Sequence, residues 1–308
     1  RRNLVRPRFW RMLRDILRFN RESLALLGEQ NEELTVGQYL ATNGYSREFS
    51  RHYLLPMGAA IWSCPTTTFA EFPMRFIVEF YRNHGLLSLR DRPTWRVVRG
   101  GSMQYVKPLT AGFRERIRLN TPVIAIDREP DRVYLRLRSG RWESFDEVIF
   151  ACHSDQALRI LADEATAAER EVLSAIPYGP NTAVLHKDKV LLQRRRRAWA
   201  GWNYRISRDG DDRATVTYNM NMLQHIQSSQ TFCVTLNDDY RIDRRKILAR
   251  FQYSHPIYTT QRAAAQTRHG ELIRTRRTSF CGAYWGNGFH EDGVNSAMAV
   301  VAAFEPAT

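Results

Sequence analysis

Four glycines lie close together near the end of the chain, in the stretch FCGAYWGNGFHEDGVNSA at residues 280–297. They are Gly282, Gly286, Gly288 and Gly293, between a predicted strand and a predicted helix. Glycine lets a backbone approach a ligand closely, and a helix opening at Gly293 directs unpaired N–H groups and its dipole outward. Such a junction suits an anion or the polar edge of a ring. A plain exposed strand–helix connection is the alternative.

The sequence lacks the motifs of several other chemistries. Its 17 glycines contain no G-x-G-x-x-G fingerprint, because Glu291 follows Gly286 and Gly288 where the third glycine would stand. A P-loop and a G-x-S-x-G elbow are also missing. His290 has no second histidine at i+4, so we expect no metal site.

Composition sets the broad class. A chain of 308 residues with 43% hydrophobic and 25% charged residues suits a globular protein of about two domains. The four cysteines are Cys64, Cys152, Cys233 and Cys281. They form no C-x-x-C pair, which favours a reducing cytoplasm over a disulfide framework or a zinc site. No run of about 18 apolar residues is present to span a bilayer.

The formal charge of +14 favours an anionic partner such as a phospholipid surface, a nucleic acid or a phosphorylated ligand. Residues 8–27 have helical periodicity, and arginines flank an apolar stripe there. The stripe consists of Phe9, Met12, Leu13, Ile16 and Leu17. This pattern is typical of a helix on an anionic membrane, and equally of a helix packed on its own domain.

A second basic run, at residues 194–197, is followed by Trp199, Trp202 and Tyr204. Charge interleaved with rings is typical of a surface that binds single-stranded nucleic acid. A solvated loop between two strands explains the same run equally well.

Helices are predicted at residues 8–27 and 33–44, and as short pieces between 52 and 87. After Gly100-Gly101 the pattern changes to strands, at 116–129, 132–140 and 145–152. One helix is predicted at 154–174, then four strands at 182–192, 215–221, 231–237 and 247–255. An alanine-rich helix near 261–269 precedes the terminal strand, loop and helix. The sequence therefore predicts a mixed α and β fold.

The segment SFCGAYWGNGFHEDGVNSAMAVVAAF at 279–304 is similar to the closing flavin-binding segment of the FAD-dependent amine oxidase and phytoene desaturase superfamily. It most resembles a bacterial branch of predicted NAD/FAD-binding oxidoreductases. GGSMQYVKPL at 100–109, VIFACHSDQALRIL at 148–161 and TAVLHKDKVLLQRRRRAWAGWNY at 182–204 match that branch in the same order. The resemblance spans essentially the whole chain, and it favours a loop for the second basic run, so we do not expect nucleic-acid binding.

The resemblance implies FAD as cofactor. It implies that the backbone N–H groups of Gly293 and Val294 meet the flavin and that Gly282 lies near its ribityl chain and pyrophosphate. Ala283 stands where many relatives have an acidic residue, so that role passes to backbone groups or to Glu291 or Asp292.

Further cofactor contacts implied by the resemblance are Gly100, Gly101, Val123 and Ala151. An ordinary strand valine is the alternative at Val123, and a plain turn at the two glycines. The aromatic and titratable residues nearest the expected flavin are Tyr284, Trp285 and His290, which are candidates for ring packing or proton transfer.

The resemblance further predicts an α+β (α/β) fold, as an incomplete two-domain flavin amine oxidase-like fold whose FAD domain lacks its first βαβ unit. Because relatives begin with that unit, the sequence is expected to be a fragment without its Rossmann fingerprint. Residues 100–155 and 276–308 are expected to be FAD-binding segments. Residues 1–99 are expected to form the helical part of the substrate domain, and 156–275 its sheet and a helix.

We therefore expect an FAD-dependent, amine oxidase-like oxidoreductase in which FAD accepts a hydride from a substrate C–H bond. The resembling branch often accompanies cyclopropane and methyl fatty-acid synthases, which implies a fatty-acyl or lipid substrate. A cytoplasmic protein, peripheral at the inner face of the membrane, fits that substrate. The alternative is a non-catalytic membrane- or partner-binding remnant of a flavoenzyme.

Overall fold

The structure is a computed structural model that describes residues 3–28, 33–94, 96–206 and 215–305. Its helices are α1 (Pro7–Glu22), α2 (Val36–Thr42), α3 (Arg47–Phe49), α4 (Leu55–Trp62), α5 (Thr66–Ala70), α6 (Met74–Asn83), α7 (Met103–Thr110), α8 (Ser154–Leu161), α9 (Ala167–Ser174), α10 (Met220–Leu223), α11 (Arg262–Thr267) and α12 (His290–Ala302). Its strands are β1 (Val123–Arg128), β2 (Val133–Leu137), β3 (Trp142–Phe145), β4 (Val148–Phe150), β5 (Tyr178–His186), β6 (Trp202–Arg205), β7 (Thr215–Asn219), β8 (Cys233–Leu236), β9 (Ile247–Pro256) and β10 (Thr278–Phe280). The predicted mixed α and β class is confirmed.

The chain divides into two compact units. The first unit comprises the described residues of 1–112 and 179–257, and the second unit those of 113–178 and 258–308. The segments predicted from the sequence had other bounds, at 99/100, 155/156 and 275/276. The roles assigned to those segments stay predictions.

The helices of the first unit pack through aromatic side chains. Phe19 of α1 lies against the rings of Tyr39, Tyr45 and Phe49. Trp62 at the end of α4 stacks on Phe69 with ring centroids 5.7 Å apart. Buried rings of this size dominate the energetics of a core, so these contacts fix the short helices predicted between 52 and 87.

The sheet of the first unit has the strand order β6-β7-β8-β5-β9. Strands β6, β7, β8 and β5 pair antiparallel, with Val216 opposite Leu236 and Val184 opposite Thr235. Its four predicted strands are confirmed, whereas β6 was not predicted from the sequence.

The second unit holds an antiparallel sheet, β1-β2-β3, and a parallel pair, β4 with β10. Helices α8 and α9 and strand β1 share a core with the parallel pair, in which the rings of Phe150 and Phe280 stack 5.2 Å apart. Strand β3 was not predicted.

Three predicted elements are wrong in their bounds. A helix, α7, follows Gly100-Gly101 before any strand begins. The helix predicted at 154–174 is two helices, because Ala162 has a φ of 45° and Thr166 caps a new helix start. The terminal helix begins at His290 and not at Gly293.

None of the helices in the described part of the chain combines the length and the apolarity needed to cross a bilayer.

Candidate functional site

The parallel strands β4 and β10 end side by side and bring two chain segments together. Phe150 is paired with Phe280, and the N–H of Cys281 donates to the Phe150 carbonyl at 2.9 Å. From there one segment continues through Ala151 to α8, and the other through Gly282 to α12. In α/β folds ligands bind outside the carboxyl ends of parallel strands. Ala151 and Gly282, both predicted from the sequence, lie just beyond the ends of these two strands.

Ser296 ties the start of the glycine loop to α12. Its hydroxyl accepts the N–H of Gly282 at 2.9 Å and donates to the Gly293 carbonyl at 2.8 Å. A side chain at Gly282 has no room, because a Cβ there would lie 2.6 Å from the ring of Tyr284. The loop and the first turns of α12 thus form one hydrogen-bonded piece.

Asp292 sets the start of α12. Its Oδ2 accepts the N–H of Phe289 at 2.9 Å, and the N–H of Gly293 already donates to the Phe289 carbonyl at 3.2 Å. This cap starts the helix three residues before the position predicted from the sequence. The sequence prediction did not include the cap. The outward N–H groups of its first turn belong to residues 290–292, whereas those of Gly293 and Val294 lie within the helix.

The charge at the start of α12 decides which part of a cofactor suits it. Asp292 is committed to the helix cap and lies against Gly286, whereas Glu291 is exposed. Carboxylates disfavour a phosphate beside them even at the positive end of a helix dipole. Hydroxyl and ring N–H groups, which donate to carboxylates, suit this place better.

Helix α11 holds the glycine loop in its conformation. The amide Nε2 of Gln266 donates to the carbonyls of Tyr284 at 2.7 Å and Gly286 at 2.9 Å, and Arg262 Nη1 donates to the Gly286 carbonyl at 3.2 Å. Sequence reasoning missed both side chains. The available signal was two polar residues spaced i, i+4 on an otherwise alanine-rich helix.

Aromatic side chains underlie the loop. Tyr284 is buried, and burial raises the pKa of its hydroxyl well above the ordinary value, so it keeps its proton. Trp285 stacks on His269 with centroids 4.1 Å apart. Burial lowers the pKa of His269, and its Nε2–H donates to the Phe280 carbonyl at 2.7 Å, so this ring is a neutral support. His290 is exposed on the first turn of α12.

The other predicted cofactor contacts lie in other elements. Val123 begins β1 and pairs with Leu137 of β2. Gly100 and Gly101 belong to the first unit, where their φ angles of 79° and 82° form the turn before α7.

The residues of the loop fit the edge of a flavin ring. A Cβ added at Gly293 would come no closer than 3.7 Å to a described atom, the nitrogen of Ala283. Because Gly293 carries no side chain, a flat group can approach the backbone of α12 closely at this position. The outward N–H groups of α12 and the exposed Glu291 supply donors and an acceptor beside it.

Comparison with known families identifies the family of the chain. Residues 5–222 match the family described as flavin containing amine oxidoreductase. The chain belongs to this family and is an FAD-dependent oxidoreductase. The match does not include the glycine loop and α12, whose role rests on their residues and geometry.

Solved structures with the same fold cover nearly all of the chain. A CLA-producing fatty acid isomerase from P. acnes has a TM-score of 0.61 and 15% identity, over 97% of this chain and 76% of its own. Cyclohexylamine oxidase from Brevibacterium oxydans IH-35A has a TM-score of 0.62 and 12% identity, over 95% and 74%. A redesigned putrescine oxidase has a TM-score of 0.63 and 12% identity, over 95% and 75%. Comparison with curated protein sequences gave no match.

Proposed function

We propose that this FAD-dependent oxidoreductase oxidises a C–H bond of a fatty-acyl or other lipid substrate, as a peripheral protein at the cytoplasmic face of a membrane. FAD, when bound, supplies an acceptor for the hydride that leaves the substrate carbon. The protein supplies the position and the electrostatic surroundings of both molecules.

The buried carboxylates of the first unit carry this proposal. In its described residues they are Asp15, Asp188 and Asp238. Asp15 accepts the N–H of Ser46 at 2.9 Å, where α3 begins. Asp188 is paired with Lys246 at 3.1 Å, and Asp238 with Arg205 at 3.1 Å.

An alkylamine is a cation at neutral pH, and burying a cation without a compensating partner is costly. Since Asp188 and Asp238 are paired with basic side chains and Asp15 accepts the N–H of Ser46, we take these carboxylates to be structural and the substrate to be uncharged. One solved protein of this fold is described as a fatty acid isomerase, which supports an acyl chain. Two others are described as amine oxidases and define the competing substrate class.

We assign the FAD contacts to the second unit, at the ends of β4 and β10. Gly282, Gly293 and Val294 would allow the close approach of the ring, and Ala151 would border it. Glu291 would accept from a donor of the cofactor, and Asp292 would hold the helix start. A contact from Val123, in the same unit, is part of this proposal, whereas the contacts expected from Gly100 and Gly101, in the first unit, stay predictions from the sequence.

The three candidate side chains have different roles in this proposal. Tyr284 is buried beneath the loop, where burial raises the pKa of its hydroxyl, so we assign it to packing and not to proton transfer. Trp285 orients the loop through its stack on His269. His290, exposed at the start of α12, is the candidate for proton exchange with solvent.

Anaerobic flavin reduction tests the substrate class. Holoprotein expressed from its complete gene is mixed separately with fatty-acyl phospholipids, free fatty acids, putrescine and cyclohexylamine. We expect the visible absorbance of the flavin to fall with an acyl substrate and not with the amines. Reduction by amines alone would overturn the proposed substrate. Bound flavin that no compound reduces would favour the non-catalytic alternative.

A further inference from the structure

The face of helix α1 that is exposed to solvent is not the apolar stripe that the sequence predicted. Phe9, Met12, Leu13 and Ile16 are half-buried, and Phe19 and Asp15 are fully buried on the same side. The structure therefore shows this stripe packed against the protein itself, which was one of the two alternatives predicted from the sequence. Leu17 is the exception, because it is exposed.

The exposed side of α1 and of the turn after it is the outer face. It consists of Trp10, Arg14, Leu17, Arg21 and Leu24, spaced i, i+4, i+7, i+11 and i+14. Trp10 is 54% exposed and Leu17 is 51% exposed. Large apolar side chains and arginines thus alternate along one line of the protein surface.

We propose that the outer face of α1 docks the protein onto an anionic phospholipid membrane. The inference rests on the proposed function for its purpose, since a membrane-bound enzyme reaches an acyl chain without drawing the lipid fully into water. The docking itself depends only on the residues of the outer face.

The residue types suit the boundary between headgroups and acyl chains. Tryptophan places an amphipathic ring there, and leucine reaches the apolar layer beneath. Arginine covers apolar surface with its stem and keeps its guanidinium at the phosphates. The indole Nε1–H of Trp10 donates to the Leu4 carbonyl at 2.7 Å, which holds the exposed Leu4 and Val5 beside the helix start.

The local charge is complementary to an anionic surface. Arg6 and Arg14 have no carboxylate within ion-pair distance among the residues that the structure describes. Glu22 is shared between Arg18 and Arg21. Glu48 lies 3.7 Å from Arg8 and 3.9 Å from Arg11, so it too serves two arginines. The face therefore keeps an excess of positive charge for lipid headgroups.

The second basic run offers a matched control for charge. Arg195 and Arg196 are exposed in a loop of the first unit, where Trp199 is half-buried and its Nε1–H is held by the Gln193 carbonyl at 2.7 Å. Replacing Arg195 and Arg196 by glutamate changes the net charge by the same amount as replacing Arg14 and Arg21 by glutamate. Trp142, exposed in β3, is the control for loss of a surface indole.

Co-sedimentation with vesicles tests the proposal, using the protein expressed from its complete gene. Vesicles of phosphatidylcholine with phosphatidylglycerol are compared with vesicles of phosphatidylcholine alone, at low and at physiological salt. We expect binding to the anionic vesicles only, weakened by salt. The double variant Arg14→Glu with Arg21→Glu should bind the anionic vesicles about thirty-fold more weakly, or weaker still. Each arginine near such a surface contributes a factor of about five to the binding constant. Trp10→Ser with Leu17→Ser should also release the protein.

The controls decide the outcome. Arg195→Glu with Arg196→Glu, and Trp142→Ser, should leave vesicle binding essentially unchanged. All substituted side chains are exposed, so the thermal unfolding curves should coincide. Absence of binding at low salt, or equal losses for the α1 and loop variants, would overturn the proposal. Vesicle binding without oxidation of lipid would contradict only the proposed substrate, and oxidation of lipid in detergent without vesicle binding would contradict only the docking.

Discussion

Arg128 and Glu169 form a bidentate ion pair inside the second unit, with Nη1–Oε1 at 2.6 Å and Nη2–Oε2 at 2.9 Å. Arg128 ends β1, and Glu169 lies in the first turn of α9. Arg128 Nη1 also donates to the hydroxyl of Thr278, the first residue of β10, at 2.8 Å. The pair therefore joins the antiparallel sheet and α9 to the strand that carries the glycine loop.

Removal of one partner should destabilise the protein strongly, because it leaves the other charge buried and unpaired. We expect Glu169→Gln or Arg128→Met to lower the free energy of unfolding by about 3–5 kcal/mol. The double variant Arg128→Met with Glu169→Gln should lose less than the sum of these two single variants. Denaturant unfolding measures all of them, and strictly additive losses would show that the two charges do not interact.

The same pair predicts how stability depends on pH. Burial alone raises the pKa of Glu169, but hydrogen bonds from Arg128 and from the Thr166 N–H bring it below the ordinary value. A carboxyl whose folded-state pKa is lowered stabilises the protein above its unfolded pKa of about 4.3. That contribution disappears as the pH falls through the folded value. The unfolding free energy of the wild type should therefore fall more steeply below about pH 4.3 than that of Glu169→Gln, and parallel curves would contradict the assignment.

Gln266 should control flavin affinity without touching the cofactor. Gln266→Met removes both hydrogen bonds to the loop carbonyls and keeps a side chain of similar size. At about 1 kcal/mol for each of the two bonds, we expect flavin to dissociate up to about thirtyfold more readily. Gln261→Met, an exposed change at the N-cap of the same helix, is the control. Fluorescence of released flavin measures both, and equal affinities in the two variants would remove Gln266 from the site.

Two loop glycines should be required for stability. A Cβ at Gly286 would lie 2.3 Å from the carboxylate of Asp292, and one at Gly288 would lie 2.4 Å from the hydroxyl of Tyr258. Gly288 also has a φ of 93°, where a side chain adds backbone strain. We expect Gly286→Ala and Gly288→Ala to cost about 1–3 kcal/mol each. Gly270→Ala, where a Cβ meets nothing within 4 Å, should be neutral in thermal unfolding, and equal melting temperatures for all three would contradict the packing.

The strand–loop–helix junction at 280–297 was predictable because its signals are local. Glycines, a short apolar strand and a following helical pattern lie within a few residues of each other. The exact start of α12 was not predicted, because it depends on the carboxylate of Asp292 folding back onto Phe289. The break at Ala162 was missed for a similar reason, since alanine gives no sequence signal for a positive φ.

Contacts between distant segments could not be predicted from periodicity. Gln266 supports a loop 18 and 20 residues further along the chain, and nothing in its own helix indicates that target. The pattern of residues 8–27 showed an amphipathic helix but not what its apolar stripe contacts. The structure supplies that contact and thereby exposes the alternating face around Trp10 and Leu17.

The visible absorbance spectrum of the purified protein, expressed from its complete gene, tests the central claim that the junction of β10 and α12 holds FAD. The wild type should show flavin bands with stoichiometric flavin. Gly293→Val should purify folded, since a Cβ there lies 3.7 Å from its nearest neighbour, but without flavin, because the side chain covers the backbone that the ring would approach. Gly270→Val should keep its flavin. Full flavin occupancy in Gly293→Val, or a wild type that takes up no flavin, would contradict the account.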